Sequence, residues 1–190
     1  MRRIKKPAAI ISTIALAVIA VVALYQLYLR TSGNFHEVVA GEYYRSAQPG
    51  SGRIAELAAT HNIKSVINLR GRHKGATWYE EEKLEAAATG VTLIDFRMSD
   101  GDHMTQAEVL KLIDVMRHAP KPVLVHCRAG ADRTGLASAL YVAAIRKDTE
   151  FNSEMQLSLL YGHVPLWFNK SYAMNMTFED MEPLLGYHDS

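Results

Sequence analysis

Apolar positions follow three rhythms along this chain. From Pro7 to Leu29 they are nearly continuous, 23 residues of mainly Ala, Ile, Val and Leu with no charge between Lys6 and Arg30. As a helix that run would extend about 33 Å, enough to cross the hydrocarbon core of a bilayer. Beyond it, short β-branched runs alternate with stretches of helical periodicity. His36–Arg45 predicts one or two short strands around Gly41, Lys64–Leu69 a buried strand, Val91–Phe96 another, and Pro122–His126 a further one. Between them, Gly52–His61 carries Ile54, Leu57 and Ala58 on one helical face, and Thr77–Ala88 predicts a helix ended by Gly90. Thr105 is placed to cap a helix with Val109, Leu110, Ile113 and Met116 on its inner face. Thr134–Lys147, Phe151–His163 and Thr177–Tyr187 predict three more helices, with Tyr141, Trp167, Phe168, Met155, Met174, Met176 and Met181 as core fillers. Strands alternating with helices predict an α/β fold, a parallel-rich central sheet flanked by helices on both faces.

The flanks of the first run give it a direction. Arg2, Arg3, Lys5 and Lys6 precede it, and Tyr25, Tyr28 and Arg30 close it. The positive-inside rule then keeps the N-terminus cytoplasmic and sends the rest of the chain across, with the tyrosines at the far interface. A cleaved signal sequence is the competing reading, but the run is long for one and shows no clear small-residue cleavage site. The expected organisation is a basic N-terminus and transmembrane anchor over 1–30, a linker over 31–35 and one domain over 36–190. An extended linker of that length would lift the domain by about 17 Å, at about 3.4 Å per residue.

Charge and cysteine content narrow the chemistry. The whole chain carries a formal charge of +1, but from Arg30 onward all 20 acidic residues face 17 of the 21 basic ones, a formal charge of −3. No basic stripe interleaved with aromatics runs through that part, so nucleic-acid binding has no support. One cysteine, Cys127, cannot form an internal disulfide. The eight histidines show neither H-x-H nor H-E-x-x-H spacing, so no metal and no cofactor are expected.

Cys127 opens the most informative segment, Val125-His126-Cys127-Arg128-Ala129-Gly130-Ala131-Asp132-Arg133-Thr134-Gly135. It joins a predicted buried strand to a predicted helix. Such a junction points successive backbone N–H groups and the positive end of the helix dipole at one spot, a cradle for an anion. At the base of that cradle the field favours a thiolate nucleophile. Gly130 permits torsions that a side chain resists. Arg133 can return over the loop to hold two phosphate oxygens, and Thr134 can donate to the sulfur as it leaves. His126 is expected to order the loop rather than to act as a base. Asp132 is a candidate either for substrate contact or for fixing the loop.

These residues, HCRAGADRTG, resemble the HCxxGxxR[ST] signature of the protein tyrosine and dual-specificity phosphatases. Tyr44-Arg45-Ser46-Ala47-Gln48-Pro49 and Val66-Ile67-Asn68-Leu69-Arg70 are similar to segments of compact bacterial members of that superfamily. The resemblance implies a phosphomonoesterase with Cys127 as nucleophile and Arg133 and the loop 128–133 as the phosphate site. It also implies an aspartate acid on a mobile loop before the signature strand. Asp100, followed by Gly101, is the first choice and Asp102 the second; the bland reading makes both of them turn and cap residues. The loop lacks the Trp-Pro-Asp of the larger tyrosine phosphatases. Arg128 stands where some inositol-lipid phosphatases carry Lys, but Ala131 stands at their second basic position. Arg70, at a strand's carboxyl end, is either a ligand or a surface residue. The implied substrate is a phosphorylated protein, with a phospholipid or glycolipid at the membrane surface as the alternative. A phosphate-binding module without turnover and a rhodanese-like sulfurtransferase fit the residues less well.

Overall fold

The computed structural model describes residues 5–187; Arg2 and Arg3 of the basic N-terminus lie outside that range. Helix α1 spans Lys5–Thr31, and its segment Ile10–Thr31 is long and apolar enough to cross a membrane or to serve as a signal sequence. It is followed by β1 (His36–Val39), β2 (Tyr43–Ser46), α2 (Arg53–His61), β3 (Ser65–Asn68), α3 (Thr77–Thr89), β4 (Thr92–Asp95), α4 (Gln106–His118) and β5 (Val123–His126). Then come α5 (Asp132–Leu140), a π-helical continuation over Tyr141–Arg146, α6 (Glu150–Glu154), and α7 (Ala173–Leu185), with two short 3₁₀ turns between α6 and α7.

The sheet order is β1-β2-β5-β3-β4; β1 is antiparallel to β2 and every other pairing is parallel. Alternation along the strands assigns the two faces. Tyr43, Ile67, Val123 and Val125 pack with the inner faces of α4, α5 and α7. Tyr44, Val66 and Leu124 pack with Ile54 and Leu57 of α2 and Ala86 of α3. The expected α/β sandwich with helices on both faces is therefore the fold. Register also aligns the strand ends: Ser46 and Asn68 both pair with His126, and Asn68 pairs with Asp95. Ala47, Leu69, Phe96 and Cys127 consequently leave the sheet from one common edge, the carboxyl edge at which α/β folds gather ligands.

Four sequence expectations are corrected. On α4, Leu112 is buried and Leu110 is exposed, so the inner face runs through Val109, Leu112, Ile113 and Met116. The helix expected over Phe151–His163 stops at Glu154. Its onward backbone is taken by other partners: Gln156 O accepts from Arg45 at 2.9 Å and Tyr161 O accepts from Asn34 at 2.9 Å. Trp167, Phe168 and Met176 are exposed rather than core residues, whereas Met174 and Met181 are buried as expected. Finally, residues 32–35 do not extend away from the domain: Ala47 N donates to Gly33 O at 2.8 Å and Asn34 is buried.

Candidate active site

The loop between β5 and α5 begins with Cys127, 2% exposed, at the base of a turn that ends in the first residue of α5, Asp132. Its carbonyls are all drawn outward. Arg128 O accepts from Gln48 N at 3.3 Å, and Ala129 O from the Asn34 side chain at 3.0 Å. Arg45 reaches Gly130 O at 3.0 Å and Ala131 O at 3.4 Å. In a trans peptide the N–H opposes the preceding C=O. The amides of Ala129, Gly130, Ala131 and Asp132 therefore face the interior of the loop, toward the space above Cys127. Gly130 makes the turn possible: φ is +71°, and a Cβ there would lie 2.6 Å from the Ser46 carbonyl. Gly135 serves the next turn, where a Cβ would stand 2.9 Å from Gln156 O.

Arg45 is the residue whose role residue-level reading missed. It is fully buried on an interior strand, its Nη1 donates to both oxygens of Gln156, and its guanidinium lies 3.9 Å over the Tyr161 ring. Burial pulls it down to about 10 in spite of nearby Tyr43, Tyr161, Cys127 and Asp132. The available signal was an arginine inside a predicted strand, where a buried charge has to be matched by specific acceptors. A second chain of contacts supports the loop from the α3 side. His126 Nε2 meets Glu82 at 2.6 Å, Glu82 accepts from Gln48 at 2.8 Å, and Gln48 accepts from Arg70 at 2.8 Å. Arg70 stacks 3.4 Å over Trp78, and burial, then Arg133 and Arg128, depress it. Arg70 is thus drawn toward the loop and is not a free surface arginine. His126 itself is wholly buried beneath the loop.

The remaining candidates divide. Asp132 bonds His163 Nδ1 at 2.7 Å, and His163 Nε2 bonds Asn175 at 2.7 Å, so Asp132 is tied to the segment after α6. Arg133 is part-buried and donates to Met98 O at 3.4 Å, linking the loop to residues 97–104. Thr134 is buried and its hydroxyl meets no hydrogen-bond partner among the described residues. Asp100 and Asp102 are both exposed on the 97–104 loop. Ser99 Oγ accepts from Asp102 N at 3.2 Å, and Asp102 lines a recess of about 150 Å³ shared with His103 and Glu108, which Asp100 does not line. Arg128 and Ala129 are exposed at the loop's rim. Among the described residues, the acidic trio with metal-holding spacing, Glu150, Glu154 and Glu182, belongs to α6 and α7 and not to this loop.

A family model described as a polymorphic toxin system DSP-PTPase phosphatase matches residues 39–146. The human dual specificity protein phosphatase CDC14C is 32% identical over 82 residues, 43% of this chain and 17% of that protein. The chain thus spans less than a fifth of that relative's length. Among solved structures, P. aeruginosa TpbA in complex with pTyr superposes with a TM-score of 0.58 at 20% identity, covering 83% of this chain and 93% of that one. PTPMT1 in complex with PI(5)P superposes with a TM-score of 0.57 at 14% identity, covering 79% and 97%. At those identities the two structures share the fold.

Proposed function

This chain belongs to the DSP-PTPase phosphatase family, and from that membership we propose that it hydrolyses phosphate monoesters through a phosphocysteine at Cys127. One observation carries the reading: the outward carbonyls of residues 128–131 turn four consecutive amides toward the space above a buried cysteine. That arrangement offers fixed dipoles where charge develops on the equatorial oxygens of a transferring phosphoryl group. Arg133 adds a bidentate clamp. The Cys127 thiolate attacks phosphorus, the P–O ester bond breaks, and Asp100 gives its proton to the departing oxygen. Water then attacks phosphorus with Asp100 accepting its proton, the S–P bond breaks, and inorganic phosphate leaves. Thr134, with an uncommitted hydroxyl, donates to the leaving sulfur. Asp102 is the poorer candidate for the acid because it lines a recess with His103 and Glu108 that Asp100 does not line.

The anchor belongs to the same reading. The last turns of α1 pack on the domain: Leu29 is buried, and Tyr25 donates to Leu160 O at 2.7 Å. This packing favours a retained membrane helix over a cleaved signal, and the basic residues ahead of it favour a cytoplasmic N-terminus and an extracytoplasmic domain.

The test is hydrolysis of an aryl phosphate by the full chain in detergent. Cys127→Ser is expected to abolish turnover, and Asp100→Ala to lower it about a hundredfold for a poor leaving group. Turnover that survives Cys127→Ser sinks the mechanism. Thiosulfate cleavage in place of phosphate release would favour a sulfurtransferase.

A further inference from the structure

The segment after α6 leaves large apolar side chains in solvent. Leu159, Leu160 and Leu166 are about half exposed, Trp167 is 81% exposed and Phe168 69%. The two aromatic rings pack edge to face, with centroids 5.6 Å apart. Side chains of this size rarely stand together in water without a covering surface.

Two contacts place this segment against α1. Tyr25 bonds Leu160 O, and an apolar groove of about 500 Å³ runs between Val21, Val22 and Tyr25 on one side and Leu159, Leu160 and Pro165 on the other. Val21 lies ten residues before Thr31, about 15 Å along the helix axis. Inserting all of Ile10–Thr31 would therefore carry the docked segment and its polar backbone into hydrocarbon, which is costly. The run from Pro7 to Leu24, about 27 Å long, suffices to cross with little mismatch. The interface then falls at Tyr25, Gln26 and Tyr28, beside Leu159 and Leu160.

The same segment borders the catalytic loops. Gly162 is wedged between α1 and the phosphate loop: a Cβ there would lie 3.1 Å from Gln26 Oε1, 3.3 Å from Leu29 Cδ1 and 3.8 Å from Ala131 Cβ. His163 holds Asp132 at 2.7 Å. At the other end, Lys170 packs on the acid loop, where a Cβ at Gly101 would stand 3.0 Å from its own Cβ. Arg128 and Lys170 are exposed near this segment, and Asp100 and Asp102 are exposed on the acid loop that Lys170 touches. Trp and Phe over an apolar strip continuous with a helix long enough to cross a membrane have the chemistry of a surface that rests at a bilayer interface.

Building on the phosphatase reading above, we infer that residues 159–168 are a membrane-contact surface, seated in the bilayer that holds α1, and that they present the Cys127 loop to phosphate monoesters on lipid headgroups. The full chain is reconstituted in phosphatidylcholine vesicles carrying phosphatidic acid or a phosphatidylinositol monophosphate. Brominated acyl chains are expected to quench tryptophan emission, and Trp167→Phe to remove the quenched component. The paired substitution Trp167→Asp and Phe168→Asp is expected to lower lipid-phosphate hydrolysis at least about tenfold while aryl-phosphate turnover stays at the wild-type rate. Retained aryl-phosphate turnover shows that the paired variant is folded. Wild-type protein that cleaves aryl phosphate and a phosphotyrosine peptide but no lipid phosphate overturns the substrate assignment and favours a phosphoprotein. Absence of quenching overturns the contact surface. Failure on aryl phosphate as well would strike the phosphatase reading, while quenching still decides the surface.

Discussion

At the residue scale, the Cys127 loop owes its shape to what holds it from outside. Arg45 and Asn34 together occupy the carbonyls of Ala129, Gly130 and Ala131, so the protein's own side chains hold the loop's amides turned inward. Such preorganisation is where electrostatic catalysis gains most, because no dipole has to reorient during the reaction. Gly130 is the residue with least latitude. Gly130→Ala forces a positive-φ alanine against the Ser46 backbone, 2.6 Å away. We expect a loss of about 1–3 kcal/mol in stability and of at least about a hundredfold in kcat, read by denaturant titration and aryl-phosphate kinetics. A kcat unchanged by that substitution would show that the loop does not need this turn.

At the element scale, helix ends and strand ends were legible where local chemistry sets them. The Thr105 cap is a full capping box with Glu108. The 155–163 segment was not legible as an irregular stretch, because Leu157 and Leu160 carry helical spacing. What breaks the helix is demand from outside it, the buried guanidinium of Arg45 and the Asn34 amide. Lys121, between α4 and β5, shows a pH effect of element packing. It is half-buried, donates to Met116 O, and sits 4.9 Å from the Tyr141 ring centroid. Desolvation pulls it from 10.5 to about 8, against the pull of Glu42. Between those two values the unfolded chain holds a proton that the folded chain has released, so stability rises with pH across that window. Above about pH 10 the buried phenols of Tyr43 and Tyr141, both pushed up, reverse the trend. The urea midpoint of the wild type is expected to climb from pH 8 to 10, and that of Lys121→Met to stay flat. A wild-type midpoint that falls through this range would contradict the assignment.

At the scale of the whole molecule, α1, the Cys127 loop and the segment after α6 meet at one buried residue. Asn34, in a left-handed conformation with φ +47°, donates from Nδ2 to Ala129 O and to Tyr161 O, and its Oδ1 accepts from His36 Nε2 at 2.9 Å. Gly33, beside it, accepts from Ala47 N, so the short turn after α1 is bonded to the strand end beside the Cys127 loop. Asn34→Ala leaves two carbonyls without their donor, at about 1–3 kcal/mol for each buried group. The expected result is a lower melting temperature together with weaker competitive inhibition by inorganic phosphate, since the same bond fixes the loop. Melting lowered with phosphate inhibition unchanged would confine Asn34 to holding the anchor.

The order of strands and helices, the place of Cys127 at a strand–loop–helix junction and the length of the apolar N-terminal run follow from sequence alone. Each is written in local periodicity or in contiguous spacing between Val125 and Gly135. The supports of that loop could not be read there, because Asn34, Arg45, Glu82 and His163 are separated from their partners in it by 31 to 95 residues and meet them only through folding. Nor could the exposure of Trp167 and Phe168, since large apolar residues look alike in sequence whether they fill a core or face outward. Tertiary structure decides that difference, because it alone sets which surfaces remain uncovered once the sheet and its helices have packed.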